Sequence, residues 1–467
     1  MSRDLPDIVL VVFDTARWDR FGCYGYGRPT TPTVDALASD GLRVDTMVAN
    51  GPWTLPSHGS LFTGLYPSQH GSQWQTGPRM RADVQITLAE WLRGLGYATI
   101  CATNNGLIST KTGLARGFDR YAFRLDLERG LPRVARRLRK VVAGGDSGGK
   151  IVNRWIRREL SGVRQPTFLF VNYLECHWAY VPPERLVRRV GGPRFTPIAG
   201  ARYRADLARR AGPWEAVARA DERLLEIYST LYDAELANTD AHFAELLDIL
   251  KKTGHLRDDR TVVIVTSDHG EHIGEHGLAD HHASLDEHLV RVPFVAWGPG
   301  TIRPAVRTDL FELVDVFPSL CRLLGRDLPA PHLGERRTDL FQANGASGRR
   351  EYAFAEWRAW TEGELARLSR RNPSYDFSRL PGDLVAVRDR RFKMVRSSDG
   401  TEALYDLVED PQERTDVAGS RPDVVGRLRT QLDSETGAWE AWANGDAVIS
   451  AHERMEIEQR LEELGYI

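Results

Sequence analysis

The sequence predicts an α/β protein: a doubly wound, mainly parallel sheet sandwiched by helices, followed by a small C-terminal antiparallel α+β subdomain. Three observations carry this. Short β-rich apolar runs alternate with helical patterns, as in βαβ units covered on both faces. Several of those runs end in acids or histidines, at the carboxyl ends where open α/β sheets bind ligands. Beyond about residue 345 the alternation gives way to a hairpin pattern and helices, which places a division between 1–345 and 346–467.

Taken in order, DIVLVVFD is a buried strand ending in Asp14, and its apolar run is too short and too soon interrupted by charge for a leader peptide. GPWTLPSHGSLFTG (51–64) reads as a turn into a short helix opened by Pro56, with Thr54 just ahead of it. ITLAEWLRGLG has helical spacing and leads to the strand YATICATN, which ends in Asn104. Residues 120–164 hold 13 Lys or Arg and four acids, and Leu131, Val134, Leu138 and Val141 put one apolar stripe on a helix. That helix is either a solvated face or a positive rim that attracts an anionic substrate or an anionic membrane surface. The strand TFLFVNYLE brings Glu175 and, just past it, His177. A helix over DAELANTDAHFAELLDILKKTG precedes the strand TVVIVTSD, which ends in Asp268 with His269 next. VPFVAWGPG is the fifth strand. After a linker at GASGRR, the runs LVAVRDRRFKMVRS and TEALYDL form an antiparallel pairing, followed by the turn EDPQER and the helices PDVVGRLRTQL and ERMEIEQRLEELGY.

Composition narrows the function class. Of 467 residues, 42% are hydrophobic and 27% charged, and the net charge of −2 argues against a dedicated nucleic-acid binder. No window approaches the roughly 18 apolar residues of a membrane span. Cys23, Cys101, Cys176 and Cys321 lack CxxC spacing, so neither a disulfide framework nor a zinc knuckle is expected, and a cytoplasmic protein is.

Asp14, Asp268 and His269 offer two hard oxygen donors and an imidazole, a set for one divalent cation: Mg, Mn, Ca or Zn. SDHGEHIGEHGLADHH is the more specific signal, because histidines interleaved with acids and glycines suit neither a core nor a regular helix. A helix start favours anions through its unpaired N–H groups and dipole. A hydroxyl there, on Thr54, is placed to act as a metal-assisted nucleophile on a phosphorus or sulfur centre, unless it serves only as a helix cap.

These segments together resemble the sulfatase branch of the alkaline phosphatase superfamily over nearly the whole chain: FDTARWDRFGCYGYGRPTTP, WTLPSHGSLFTGLYPSQHG, FVNYLECHWAYVPP, TSDHGEHIGEHGL and RDRRFKMVRSSDGTEALYDLVEDPQER. The resemblance implies that Asp14, Thr54, Asp268 and His269 bind one divalent metal, and that His177 contacts the transferred group. His281 or His282 falls where sulfatases carry a lysine after the GEHGL segment.

The departures bear on chemistry. Sulfatases begin a C-x-P-x-R motif with Cys or Ser, oxidised to formylglycine; here that position is Thr54, and the motif arginine is His58. A second aspartate often found beside the first is Thr15 here. The resemblance therefore implies a metal-dependent hydrolase of a small anionic ester, a phosphate mono- or diester, working through a phospho-threonine on Thr54. His177 and His281 or His282 stabilise charge and a histidine protonates the leaving group. Arg17, Asn104 and His58 are candidate substrate contacts, with support of the loop the alternative for Arg17, and Glu175 supports the metal or a second one. Transfer to an alcohol acceptor, sulfate-ester hydrolysis without formylglycine, and a binding-only relative with a decayed site are the competing readings.

Overall fold

A computed structural model describes residues 5–73, 79–124, 148–191, 212–330, 338–341 and 350–440. Its main sheet is built from β1 (Asp7–Phe13), β2 (Leu42–Val48), β3 (Ala98–Thr103), β4 (Arg120–Phe123), β5 (Thr167–Tyr173), β6 (Thr261–Thr266), β9 (Arg291–Val292), β10 (Phe294–Trp297) and β11 (Ala305–Glu312), with β7 (His272–Ile273) and β8 (Ala279–Asp280) forming a separate small hairpin. The strand order is β11-β2-β10-β6-β1-β5-β3-β4, with β9 against β2. Each of the five runs expected as strands is one.

β1 lies at the centre of the site-bearing half, parallel to β5 and β6. β3 is parallel to β5 and β4 to β3. All seven β1 residues are buried, and successive side chains enter two different cores. Ile8, Leu10 and Val12 pack on one face, while Val9, Val11 and Phe13 pack on the other. That two-sided burial is why Ile8 to Phe13 are all apolar, without polar alternation. The first core includes Leu55, Leu61 and Phe62 of helix α1 (Thr54–Thr63), and the second includes Ile227, Leu231 and Phe243 of helix α2 (Glu222–Thr253).

Three expectations need correction. β10 runs antiparallel to both β6 and β2, because no crossover helix separates it from β6. β2 and β11 pair in parallel with each other and were not read as strands, since polar residues interrupt LRVDTMV and AVRTDLFE. α1 begins at Thr54, with Trp53 as its N-cap, so Pro56 is its third residue and Thr54 is not the cap.

The C-terminal part is a four-stranded antiparallel sheet of β12 (Ala353–Trp357), β13 (Leu384–Arg388), β14 (Phe392–Ser397) and β15 (Glu402–Asp406). Helix α3 (Pro422–Glu440) packs on it through Val424, Val425, Leu428 and Leu432, against Phe354, Val387, Met394 and Leu404. The Arg-rich helix expected over 131–141, the linker residues 345–349 and the last expected helix, 453–466, lie outside the described residues.

Candidate active site

Parallel register brings the strand ends together. Phe13 pairs with Tyr173, Val12 with Thr266 and Thr103 with Asn172, so the residues that follow β1, β3 and β6 emerge at one edge of the sheet. Asp14, Asp268 and His269 are fully buried there. One ligand atom from each lies within 4.8 Å of those of the other two.

The chain reaches this geometry through a sharp turn. Thr15, a β-branched residue, has φ 58°, a conformation that costs on the order of 1–3 kcal/mol. The turn aims its N–H at Asp268 Oδ1 (3.2 Å), while its carbonyl accepts from the Tyr232 hydroxyl (2.8 Å). On the other side, Gly270 approaches the His288 carbonyl so closely that a Cβ would run into it, and its N–H donates to the Leu289 carbonyl at 2.7 Å.

The donor set fits a divalent cation. Asp14 Oδ1, Asp268 Oδ2 and His269 Nε2 are buried without a hydrogen-bond partner. His269 Nδ1 lies 2.9 Å from the Gly270 carbonyl, which fixes the proton there and leaves the Nε2 lone pair for a metal. Two carboxylates facing each other out of water are costly without a cation. Burial, then the charge of Asp268, push Asp14 up to about 7 against the donors Asn105 and Asn172. Burial opposes ionisation of Asp268 too, but His269 and His58 beside it hold its carboxyl well below the usual range.

Thr54 is tied to this cluster. Asn105 Nδ2 donates to Asp14 Oδ2 at 2.7 Å and to Thr54 Oγ1 at 3.2 Å, and Asn172 Nδ2 donates to Asp14 Oδ2 at 3.0 Å. Ser57 Oγ, one turn into α1, donates to the Asp268 carbonyl at 2.5 Å. A hydroxyl thus stands at a helix start, next to a cation cradle.

This geometry belongs with a known family. The sulfatase profile matches residues 6–326, more than half of the chain. The chain belongs to the sulfatase family. It is 24% identical to an N-acetylgalactosamine-6-O-sulfatase of Bacteroides thetaiotaomicron, covering 92% of this chain and 93% of that one. It is also 24% identical to arylsulfatase K of Canis lupus familiaris, covering 92% and 82%. The crystal structure of a phosphonate monoester hydrolase of Agrobacterium radiobacter superposes with a TM-score of 0.69 at 22% identity, covering 94% of this chain and 96% of that one. The sulfatase family is metal-dependent, and this member is a sulfatase-like ester hydrolase.

In this sulfatase-family chain the histidine segment folds back over the Asp14, Asp268 and His269 cluster. The β7–β8 hairpin carries His281 to within 4.4 Å of His269 and 5.1 Å of His177, ring centre to ring centre. Burial disfavours the His281 cation, but Asp280 Oδ1 at 2.7 Å and Glu271 Oε1 at 3.4 Å from Nδ1 outweigh it and hold the imidazolium. Burial, then His281, push His177 down to about 3, and its Nδ1 lies 2.7 Å from the Trp178 carbonyl. His282 sits between Trp53 and Trp360, 5.6 and 5.2 Å from their rings, and burial lowers its pKa.

Three candidate substrate contacts have internal partners instead. Arg17 is 2% exposed and pairs with Asp19 (2.8 Å) and Glu275 (2.6 Å), so it takes the loop-supporting role. His58 Nδ1 faces the Thr54 carbonyl (3.0 Å) and Asp268 Oδ2 (3.4 Å), with its ring against Phe62 and Phe170 beneath α1. Asn104 accepts from the Leu174 N–H (2.8 Å) and donates to Glu175 Oε1 (3.2 Å). Glu175 also accepts from the Gly149 N–H (2.8 Å), so its carboxylate braces the start of the 149–160 helix. Asn105 and Asn172 were missed; the doublet Asn104–Asn105 at a strand end reads as a turn.

Proposed function

We propose that this sulfatase-family hydrolase cleaves phosphate mono- or diesters through a phospho-threonine on Thr54. One observation carries the reading: the Thr54 hydroxyl opens α1 and shares the Asn105 amide with Asp14 of the cation cradle. Threonine bears a methyl on Cβ, so its oxidation cannot yield the aldehyde on which formylglycine chemistry depends. A phosphonate monoester hydrolase among the structural neighbours supports phosphorus as the attacked atom.

Asp14, Asp268, His269 and Thr54 Oγ1 are the groups that would hold the ion. A bound divalent cation supplies Lewis acidity, which lowers the pKa of the neighbouring hydroxyl and offsets charge on phosphoryl oxygens. The substrate anion is held by the N–H groups at the start of α1 and by the His281 imidazolium. Thr54 loses its proton to solvent, its Oγ bonds to phosphorus, and the bond from phosphorus to the leaving alcohol breaks. His281 gives the alcohol its proton. Water then attacks phosphorus with His281 as base, the P–Oγ bond breaks, and the Thr54 oxygen takes back a proton from solvent. An alcohol in place of that water would make the enzyme a phosphotransferase. A cytoplasmic setting accords with four cysteines that are all unpaired.

Aryl phosphate mono- and diesters and aryl sulfates, assayed with wild type and Thr54→Ala, test the proposal. Phosphate esters should turn over, Thr54→Ala should lose at least about 10³-fold in kcat, and a quenched radiolabelled reaction should leave phosphate on Thr54. Efficient sulfate release, or near-normal phosphate turnover by Thr54→Ala, overturns it.

A further inference from the structure

We propose that Asp280, His281 and His282 form a second metal site, for a transition-metal ion of the Zn²⁺ class that takes the place of the His281 Nδ1 proton and switches the enzyme off. The three residues are consecutive, beginning at the last residue of β8. On a regular strand neighbouring side chains point to opposite faces, so consecutive residues could not serve one ion. Here the backbone leaves strand geometry. Asp280 has φ 67° and Ala283 has φ 63°, left-handed conformations that are uncommon outside glycine and that gather at sites where a ligand is clamped.

The turn brings three donors to one point. One ligand atom from each of Asp280, His281 and His282 lies within 4.8 Å of those of the other two. Asp280 Oδ1 is the hub, 2.7 Å from His281 Nδ1 and 3.6 Å from His282 Nδ1. A tetrahedral ion with bonds of about 2.0–2.2 Å holds its ligands about 3.3–3.6 Å apart, so the cluster is already close to the size that an ion requires. Two atoms beside it lack hydrogen-bond partners. His282 Nδ1 is one, because the oxygen it faces already accepts from His281. Glu271 Oε2 is the other, on a carboxylate that is 1% exposed and whose Oε1 lies 3.4 Å from His281 Nδ1. Buried polar atoms of this kind call for an explanation, and an ion supplies it.

Two imidazoles and a carboxylate suit Zn²⁺, Ni²⁺ or Cu²⁺ better than Mg²⁺ or Ca²⁺, which take oxygen shells. The Asp280 and His282 side chains are each 13% exposed, which gives an ion its route in and leaves the fourth position to water. The inhibitory effect rests on the reading of His281 as acid and base; the binding does not. An ion on Nδ1 displaces that proton to solvent. The ring is then uncharged, with its remaining proton on Nε2. It gives up that proton far less readily than an imidazolium does, and it has no free nitrogen to accept one from the attacking water, so both half-reactions stall.

The test uses chelator-treated full-length Asp268→Asn protein, in which the catalytic cradle is disabled, titrated with Zn²⁺ and separately with Co²⁺. It should bind about one Zn²⁺ per chain and give the intense visible absorption of tetrahedral Co²⁺. Adding His282→Gln should weaken binding by at least about 100-fold with the far-ultraviolet circular dichroism unchanged. Adding Asp280→Asn should do the same, and asparagine tolerates the left-handed φ of that position. In wild type with Mg²⁺ in excess, Zn²⁺ should suppress turnover, and His282→Gln should require at least about 100-fold more Zn²⁺ for the same fractional loss. Absence of Zn²⁺ binding, a weak octahedral Co²⁺ spectrum, or undiminished affinity in both double variants overturns the site. Full turnover by Zn²⁺-loaded wild type overturns the inhibition. The Co²⁺ spectrum needs no substitution within the cluster, so a poorly folding variant does not blunt the test. Should no phosphate ester turn over, the function proposed above fails while the titrations still decide the site.

Discussion

Asn105 uses one amide nitrogen to hold both Asp14 and Thr54, at 2.7 and 3.2 Å. It hydrogen-bonds the proposed nucleophile and a carboxylate of the cradle without itself reacting, so its role is to orient both. Asn105→Ala should lower kcat by about 10–100-fold with the fold retained, and steady-state kinetics with metal titration would measure it. Asp268→Asn should remove the catalytic ion and turnover together, because the carboxylate that presents Oδ2 to the cradle is also anchored by the Thr15 and His269 N–H groups. Elemental analysis of the purified variant checks this, and full occupancy of the cradle would contradict the assignment. At this scale the sequence was legible where chemistry is rare: Asp14, Asp268 and His269 stand just past apolar strand runs, and their ligand atoms converge in space. It was not legible where the decisive property is a direction. Nothing in the letters distinguishes Asn105, whose amide turns to the cradle, from Asn104, whose amide turns to Glu175. Nor do they show that Thr15 adopts a positive φ.

Among elements, strands buried on both faces were readable because apolar residues dominate them without alternation. β2 and β11 were not, because half-buried positions such as Arg43, Asp45 and Thr46 dilute the pattern. The β7–β8 hairpin has strands of two residues, too short for any periodicity to register. One contact between elements makes a pH prediction. Glu356 of β12 is buried and accepts from the Ser68 N–H (3.2 Å) and Oγ (3.0 Å), and burial pushes its carboxyl up from 4.5 to about 7. A group raised in the folded state stabilises it fully below the unfolded pKa, and that contribution is lost as pH rises through the folded value. Wild type should therefore lose stability relative to Glu356→Gln between about pH 4.5 and 7, with the gap constant above that window. Melting temperatures of both proteins across that range would check the sign.

At the scale of the whole molecule, a buried ion cluster ties the C-terminal sheet to the segment around Leu285 and Glu287. Lys393 of β14 donates from Nζ to the Leu285 carbonyl (2.7 Å) and pairs with Glu413 (2.5 Å) and Glu287 (3.5 Å), while Arg388 of β13 pairs with Glu287 (2.5 Å). Leu285 and Glu287 lie just past His281 and His282, so the C-terminal sheet is tied to the end of the histidine segment. Lys393→Met would strand the buried Glu413 carboxylate and leave Glu287 to Arg388 alone, and should cost about 3–5 kcal/mol in denaturant unfolding, with partial recovery in Lys393→Met/Glu413→Gln. The order of the main sheet carries a different consequence. β2 is made early, yet its neighbours β10 and β11 lie some 250 residues later in the chain. While the protein emerges from the ribosome, β2 waits with both hydrogen-bonding edges open until residues 294–312 arrive, whereas β1, β3 and β5 can already zip together. Nascent chains stalled before residue 294 would thus expose a sticky ribbon that finished molecules never show, and that interval is when a chaperone has the most to protect.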